Sequence, residues 1–115
     1  MNCVQCQAGS GLEVVAKLAT EWDDPREQVY EEWVLCHHCG ATYYATLTDT
    51  FFSDDFRIET YTADAQAWQE TYALARACPR PNDHECNCPA HTQVRQQGRP
   101  GRGKLVRDDS VFYHD

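Results

Sequence analysis

Two Cys-x-x-Cys motifs constrain this chain more than any other feature. Cys3 and Cys6 form the first motif, and Cys36 and Cys39 form the second after 29 intervening residues. The two-residue spacing lets both thiolates of one motif bind the same metal ion. Because Zn²⁺ prefers four nitrogen or sulfur ligands at about 2.0–2.3 Å, the four cysteines predict one closed structural zinc site.

The number of cysteines also indicates a cellular compartment. The chain has seven, an odd count that fits metal binding better than a set of paired disulfides. The start of the chain is polar, which gives no sign of a secretory leader, and no run of 18 apolar residues predicts a membrane span. We therefore expect reduced thiols and a cytoplasmic location, against the alternative of a secreted protein with three disulfides and one spare thiol.

The first 48 residues have the strand pattern that accompanies such motifs. Segments 12–18, 29–35 and 41–48 are rich in β-branched, aromatic and aliphatic residues, and the second leads directly into Cys36. With the four cysteines, this stretch resembles the zinc ribbon group of folds. The resemblance implies a three-stranded antiparallel sheet with zinc bound at one end, and it implies no particular function, because ribbons serve several.

The rest of the chain adds one helix to this sheet. Residues 56–60 read as a further strand, and residues 62–77 as a helix that Thr62 or Asp64 would cap. Apolar side chains at Ala65, Trp68, Tyr72 and Ala75 recur at helical period and predict a buried face. The sequence therefore predicts an α+β domain over residues 1–94, with a ribbon at 1–48.

A second group of candidate ligands follows the helix, in residues 78–91. The favoured set is Cys78, Cys86, Cys88 and His91, a Cys₃His site, with His84 as an alternative ligand. Two other interpretations stay open: free or buried thiols in a proline-rich loop, and a disulfide or redox-reactive pair formed by Cys86 and Cys88. The preferred interpretation gives two zinc ions per chain.

Neither group has the pattern of an enzyme. A catalytic zinc site keeps one position open for water and usually has three protein ligands, whereas four thiolates leave no vacancy. His84 and Glu85 are adjacent and no Pro-Cys-x-x-Cys follows, so the pattern of the zinc deaminases is absent. We expect no catalytic residues.

Charge is distributed unevenly along the chain. Residues 1–94 carry 5 basic and 15 acidic side chains, whereas residues 95–115 carry 5 basic and 3 acidic ones. An acidic body favours a basic protein partner over a phosphate backbone. The C-terminal part reads as a flexible basic linker at 95–103 followed by a short hairpin with arms at 104–107 and 110–113. Its basic residues are the candidate contacts to nucleic acid: Arg95, Arg99, Arg102, Lys104 and Arg107.

Aromatic residues are numerous for so small a chain. The three-stranded sheet has two faces, and a single helix can cover only one of them. Either the other face presents aromatic side chains to a partner, or the remaining segments of the chain cover it. The aromatic residues in question are Trp22, Tyr30, Trp33, Tyr43, Tyr44, Phe51, Phe52 and Trp68.

These observations favour one function over another. The first is a non-enzymatic, zinc-binding adaptor or regulatory protein that acts through protein–protein interaction, with an acidic inhibitor or immunity-type protein as one form of it. The alternative is a nucleic-acid-associated zinc ribbon that uses residues 95–107. A steep salt dependence of binding, lost with that segment, distinguishes the alternative.

Overall fold

The computed structural model describes residues 3, 5–7, 9, 11–21, 27–50 and 55–109. This part of the chain forms five strands and two helices. Their bounds are β1 Leu12–Glu21, β2 Glu27–Cys36, β3 Thr42–Thr50, β4 Asp55–Ala63, α1 Ala65–Arg76, α2 Pro89–Gln97 and β5 Arg102–Asp108. The predicted α+β class is confirmed.

All five strands belong to one antiparallel sheet. The strand order is β1-β2-β3-β4-β5, so each strand pairs with its neighbours in the sequence. Both helices lie in the connection between β4 and β5, and the chain returns from them to the outer side of β4. The three strands predicted for the ribbon are thus the first three of a five-stranded sheet.

The two faces of the sheet have different roles. Trp33 of β2 lies opposite Tyr44 of β3 on one face, where Leu18 of β1 is also buried. Trp68 and Ala75 of α1, together with Ala90 and Val94 of α2, pack into the same core. Both helices therefore cover this side, which we call the helix face.

The opposite side we call the open face, defined by Val14, Tyr30, Leu47, Phe56 and Ile58. The strand register places these residues on one side of the sheet. Val14 is 42% exposed and Phe56 is 38% exposed, and the other three are partly buried. No described helix packs on this face.

Hydrogen bonds, as well as apolar packing, hold α1 on the sheet. The Trp33 indole donates to Thr71 Oγ1 at 2.8 Å, and the Tyr44 hydroxyl lies 3.0 Å from the same oxygen. Tyr44 also donates to the carbonyl of Pro100, which follows α2. Because the Trp33 side chain is fully buried, its N–H needs this partner within the protein.

Thr71→Val should therefore destabilise the protein by about 1–3 kcal/mol, because the shape is kept while the buried indole N–H of Trp33 loses its acceptor. Urea denaturation followed by tryptophan fluorescence measures the change. Thr71→Ser is the matched control, because it keeps the hydroxyl, and it should lose clearly less stability. Thr71→Val keeps the methyl group, so an unchanged stability in that variant, or a larger loss in Thr71→Ser, would contradict the role given to the hydrogen bond.

Several predicted boundaries shift in the structure. The helix predicted at 62–77 spans Ala65–Arg76, and Asp64 is the capping residue, accepting from the Ala67 N–H at 3.0 Å. Thr62 instead belongs to β4. The predicted strand at 56–60 is the middle of β4. The polar stretch at 22–26, whose sequence predicts a turn or loop, lies outside the described residues, as do Phe51 and Phe52.

The C-terminal part departs most from expectation. The predicted boundary between residues 94 and 95 falls inside α2, and the segment taken as a flexible linker runs from α2 into β5. Residues 104–107, predicted as one arm of a hairpin, lie in β5 and pair with β4. The other predicted arm, residues 110–113, lies outside the described residues. No helix in the described part of the chain is long and apolar enough to span a membrane.

Candidate metal centres

The first Cys group lies at the end of the sheet where β2 turns into β3. Cys36 is the last residue of β2, and Gly40 N–H donates to its carbonyl while Cys36 N–H donates to the Ala41 carbonyl. Gly40 has φ +77, a left-handed conformation that suits glycine and lets the turn close. The N-terminal motif is closed in the same way, by a Gln7 N–H donating to the carbonyl of Cys3.

The four sulfur atoms of this group lie close together. Cys3 Sγ is 3.7 Å from Cys39 Sγ, and Cys6 Sγ is 3.7 Å from Cys36 Sγ. All four lie within 4.8 Å of one another. In a regular tetrahedron with Zn–S bonds of about 2.3 Å, neighbouring sulfurs are about 3.8 Å apart. The separations therefore fit one zinc ion bound between the two motifs.

Burial differs within the group. Cys3 and Cys36 are buried on the open-face side of the sheet, where they pack with Val34 and Tyr43. Cys6 and Cys39 are exposed. His37 and His38, between the two cysteines of the second motif, are also exposed, and His37 Nε2 contacts Glu13 Oε2 at 2.8 Å. Both histidine side chains therefore lie at the surface and outside the set of donors.

The thiols of this group do not titrate alike. Burial raises the pKa of Cys3, but the Tyr43 hydroxyl at 3.2 Å and nearby backbone amides outweigh burial and lower the pKa to about 6. For Cys39, a hydrogen bond from the Ala41 amide lowers the pKa, but desolvation and the neighbouring thiols outweigh it and raise the pKa to about 12. Without a cation, crowded thiols stabilise one negative charge and oppose the next. A divalent cation removes that opposition, because all ligands can then ionise.

The second group is built by the end of α1, the following loop and the start of α2. Cys78 comes two residues after α1, and its N–H donates to the Ala75 carbonyl. Cys88 is the N-cap of α2, Pro89 is the first helical residue, and His91 lies within the helix. Proline is favoured at that position because its missing N–H has no helical partner.

Four donor atoms converge in this second group. His91 Nδ1 is 3.3 Å from Cys78 Sγ and 3.1 Å from Cys88 Sγ, and Cys78 Sγ is 3.9 Å from Cys86 Sγ. All four ligand atoms lie within 4.8 Å of one another. These separations suit one tetrahedral ion with three sulfur ligands and one nitrogen ligand. His84 is not part of this group.

The second group shows the same pattern of acidities. Burial and the neighbouring thiols Cys88 and Cys86 raise the pKa of Cys78 to about 12. Burial also acts to raise the pKa of Cys88, but hydrogen bonds with His91 and the adjacent thiols lower it to about 6. This cluster too holds one thiolate readily and needs a cation to hold more. All seven cysteines are described, and none of them forms a disulfide.

The loop that carries this group is fastened to the sheet. Ala19 N–H of β1 donates to the Pro81 carbonyl at 2.8 Å. The guanidinium of Arg95 donates to the carbonyls of Thr20, Cys86 and His84. One arginine of α2 thus joins the loop to the edge strand.

Most basic residues of segment 95–107 contact other residues of the same chain. Arg99 is buried and pairs with Glu31, with an Nη2–Oε2 distance of 2.7 Å. Arg102 lies over the Tyr61 ring, and Arg107 pairs with Asp109 at 2.8 Å. Arg95 contacts the loop of the second group, as described above. Four of the five basic residues proposed to contact nucleic acid therefore have partners within the chain. The exposed Lys104 is the fifth.

The aromatic residues that the sequence offered for a partner surface lie in different parts of the structure. Trp33, Tyr44 and Trp68 are buried in the core of the helix face, and Tyr43 is buried beside the first Cys group. Tyr30 is partly buried on the open face. Trp22 lies outside the described residues, as do the two phenylalanines named above.

Comparison with known proteins shows no relative: no family model, curated protein or solved structure matches the chain. The structure by itself defines a small α+β domain, consistent with a zinc-ribbon-like fold, with two Cys-rich groups that can bind zinc. Each group offers four donors, the number that a closed structural zinc site uses.

Proposed function

We propose that this protein is a non-enzymatic zinc-binding adaptor or regulator that acts through protein–protein interaction. The observation that carries this proposal is the completeness of the two donor sets, Cys₄ and Cys₃His, each within 4.8 Å. A set with four protein donors leaves zinc no position for a substrate or a water molecule, so its role is to hold structure. The two sites would brace the two faces of the sheet, because the first packs with Val34 and Tyr43 and the second against the core of the helix face.

The open face supports an interaction role. Its apolar and aromatic side chains include Val14 and Phe56, which are exposed, and Tyr30, which is partly buried. Residues of this kind anchor protein interfaces, since they bury large area at low cost in side-chain freedom.

The charge of the chain supports a basic partner. The net charge is −8 at pH 7, and a field of that sign speeds encounter with a basic surface and repels nucleic acid. An inhibitor or immunity-type protein that covers a basic site is one form of this proposal. The internal partners of Arg95 and Arg99 leave less support for the nucleic-acid alternative.

Metal content is the first test. Protein purified without chelators should carry two zinc ions per chain, measured by native mass spectrometry with elemental analysis. Labelling of the native protein with a thiol reagent should then modify few of the seven cysteines, because metal-bound thiolates are protected. A chain that carries no zinc, or binds it only at exposed carboxylates, contradicts the proposal.

Partner binding is the second test. Affinity capture from the cells that produce the protein should enrich a basic protein, and Phe56→Lys should abolish the capture, because it places charge on the open face. Gln69→Lys adds the same charge at an exposed position of α1, so it should leave capture unchanged. Enrichment of nucleic acid with a steep salt dependence would instead support the alternative function.

A further inference from the structure

The histidine of the second Cys group lacks a partner that such ligands normally have. His91 is fully buried, and its Nδ1 faces the sulfurs of Cys78 and Cys88. Its other ring nitrogen, Nε2, is also buried and has no hydrogen-bond partner among the described residues. A neutral imidazole that binds metal through Nδ1 carries its proton on Nε2. That N–H is therefore left unsatisfied.

Such an outer partner normally strengthens a histidine ligand. Histidine ligands usually donate the other N–H to a carboxylate, a carbonyl or a water molecule, which orients the ring and increases its basicity. Loss of that outer contact typically lowers metal affinity 10–100-fold. In the described part of the chain, no carboxylate or carbonyl oxygen accepts a hydrogen bond from Nε2 of His91.

The first group contains no comparable defect. Its four ligands are thiols, and backbone hydrogen bonds close both of its motifs, at Cys3 and at Cys36. The Tyr43 hydroxyl lies 3.2 Å from Cys3 Sγ and can donate to the thiolate. All four ligands of this group bind through sulfur, and none of them carries a ring N–H that needs an outer partner.

We infer that the second group is an exchangeable zinc site, which binds zinc about 10–100-fold more weakly than the first. This inference rests on the proposed zinc binding. The free zinc concentration would then control whether α2 and the loop at 78–88 are held in place. Cys78 and Cys88 pack against the main core, and Ala90 and Val94 of α2 belong to it. Loss of this zinc should loosen α2 and the loop at 78–88, while the first zinc keeps the sheet intact.

The experiment is a chelator titration of the zinc-loaded protein, with the released zinc read by a chromogenic chelator. The wild-type protein should release the zinc of the second Cys group at a chelator concentration about 10–100-fold below that needed to release the zinc of the first Cys group. Cys86→Ser should lack the easily released zinc and keep the other. Hydrogen exchange after removal of one equivalent should increase in residues 78–97, while residues 29–47 remain protected.

His91→Cys tests the cause. The substitution replaces the imidazole by a thiolate that reaches a metal at a similar distance from Cβ, and it removes the unsatisfied N–H. The variant should need an about 10–100-fold higher chelator concentration to release the zinc of the second Cys group, close to that needed for the first group. Zinc content and hydrogen exchange of the wild-type protein give the answer if this variant does not fold.

The outcomes separate this inference from the proposed function. Release of both zinc ions in one step, or earlier release from the first group, overturns the inference while two bound zinc ions still support the proposed function. A protein that binds no zinc at the second group contradicts both. Equal retention in His91→Cys and wild type, with two-step release, shows that the unsatisfied N–H is not the cause.

Discussion

Cys36→Ser is expected to remove the zinc of the first group and to unfold the sheet. Cys36 is fully buried at the end of β2, where it joins a strand to the turn that carries Cys39. Structural zinc contributes about 10 kcal/mol or more to folding in small zinc-binding peptides. Domains of this size have a total stability of about 5–15 kcal/mol, so loss of the site removes most of it. Native mass spectrometry gives the zinc count, and far-UV circular dichroism with urea gives the stability.

His37→Ala is the control for this experiment. His37 is the next residue in the same turn, but its side chain is exposed and its contact is with the exposed Glu13. Exposed ion pairs contribute about 0–1 kcal/mol, so the variant should keep both zinc ions and nearly full stability. If Cys36→Ser instead retained two zinc ions and an unchanged urea midpoint, the first group would not be a structural metal site.

The spacing of residues in the sequence predicted the four thiols of the first donor group, and in the second group it left His84 as an alternative to His91. Cys-x-x-Cys motifs specify local geometry, since two thiols three positions apart can face one ion, and the strands that follow them are marked by β-branched and aromatic residues. The two groups of donors came together as predicted, with His91 and not His84 in the second. That choice depended on α2, because its first turn directs His91 Nδ1 towards Cys88.

Helix α2 itself was not predicted, although the sequence contains signals for it. Pro89 fits the first helical position, Ala90 and Val94 are four positions apart on one face, and Gly98 follows the last helical residue. The density of cysteine and proline residues before it suggested an irregular loop and masked these signals. Position-specific interpretation of the proline, as a helix start and not as a helix breaker, would have found the helix.

The sheet was underpredicted for a different reason. Strand β5 pairs with β4 across a connection that contains both helices, and its sequence, Arg102–Asp108, has four charged residues. Composition alone favours a solvated segment there. Pairing depends on the placement of α2 by the core, which no local pattern reveals. The burial of Arg99 has the same origin, because its partner Glu31 is 68 positions away.

Glu31→Gln is expected to destabilise the protein by about 3–5 kcal/mol, because it removes the ion-pair partner of the buried guanidinium of Arg99. The Arg99 side chain is 2% exposed and that of Glu31 is 15% exposed. Burial lowers the pKa of Arg99, and the charge of Glu31 is the largest of the influences that raise it. Urea denaturation of zinc-loaded protein measures the loss.

The reverse result is expected when both charges are removed together. Arg99→Met combined with Glu31→Leu replaces the pair by apolar side chains of similar size, and such replacements are often neutral or stabilising by 1–4 kcal/mol. Arg80→Gln, at a side chain that is 67% exposed, should change stability by less than about 0.5 kcal/mol. A stable double variant with an unstable Glu31→Gln variant shows that this pair fixes the position of the segment after α2 without adding net stability. A double variant as unstable as the single one shows instead that the hydrogen bonds from Arg99 to the Ala45 carbonyl and to Thr46 hold that segment on the sheet.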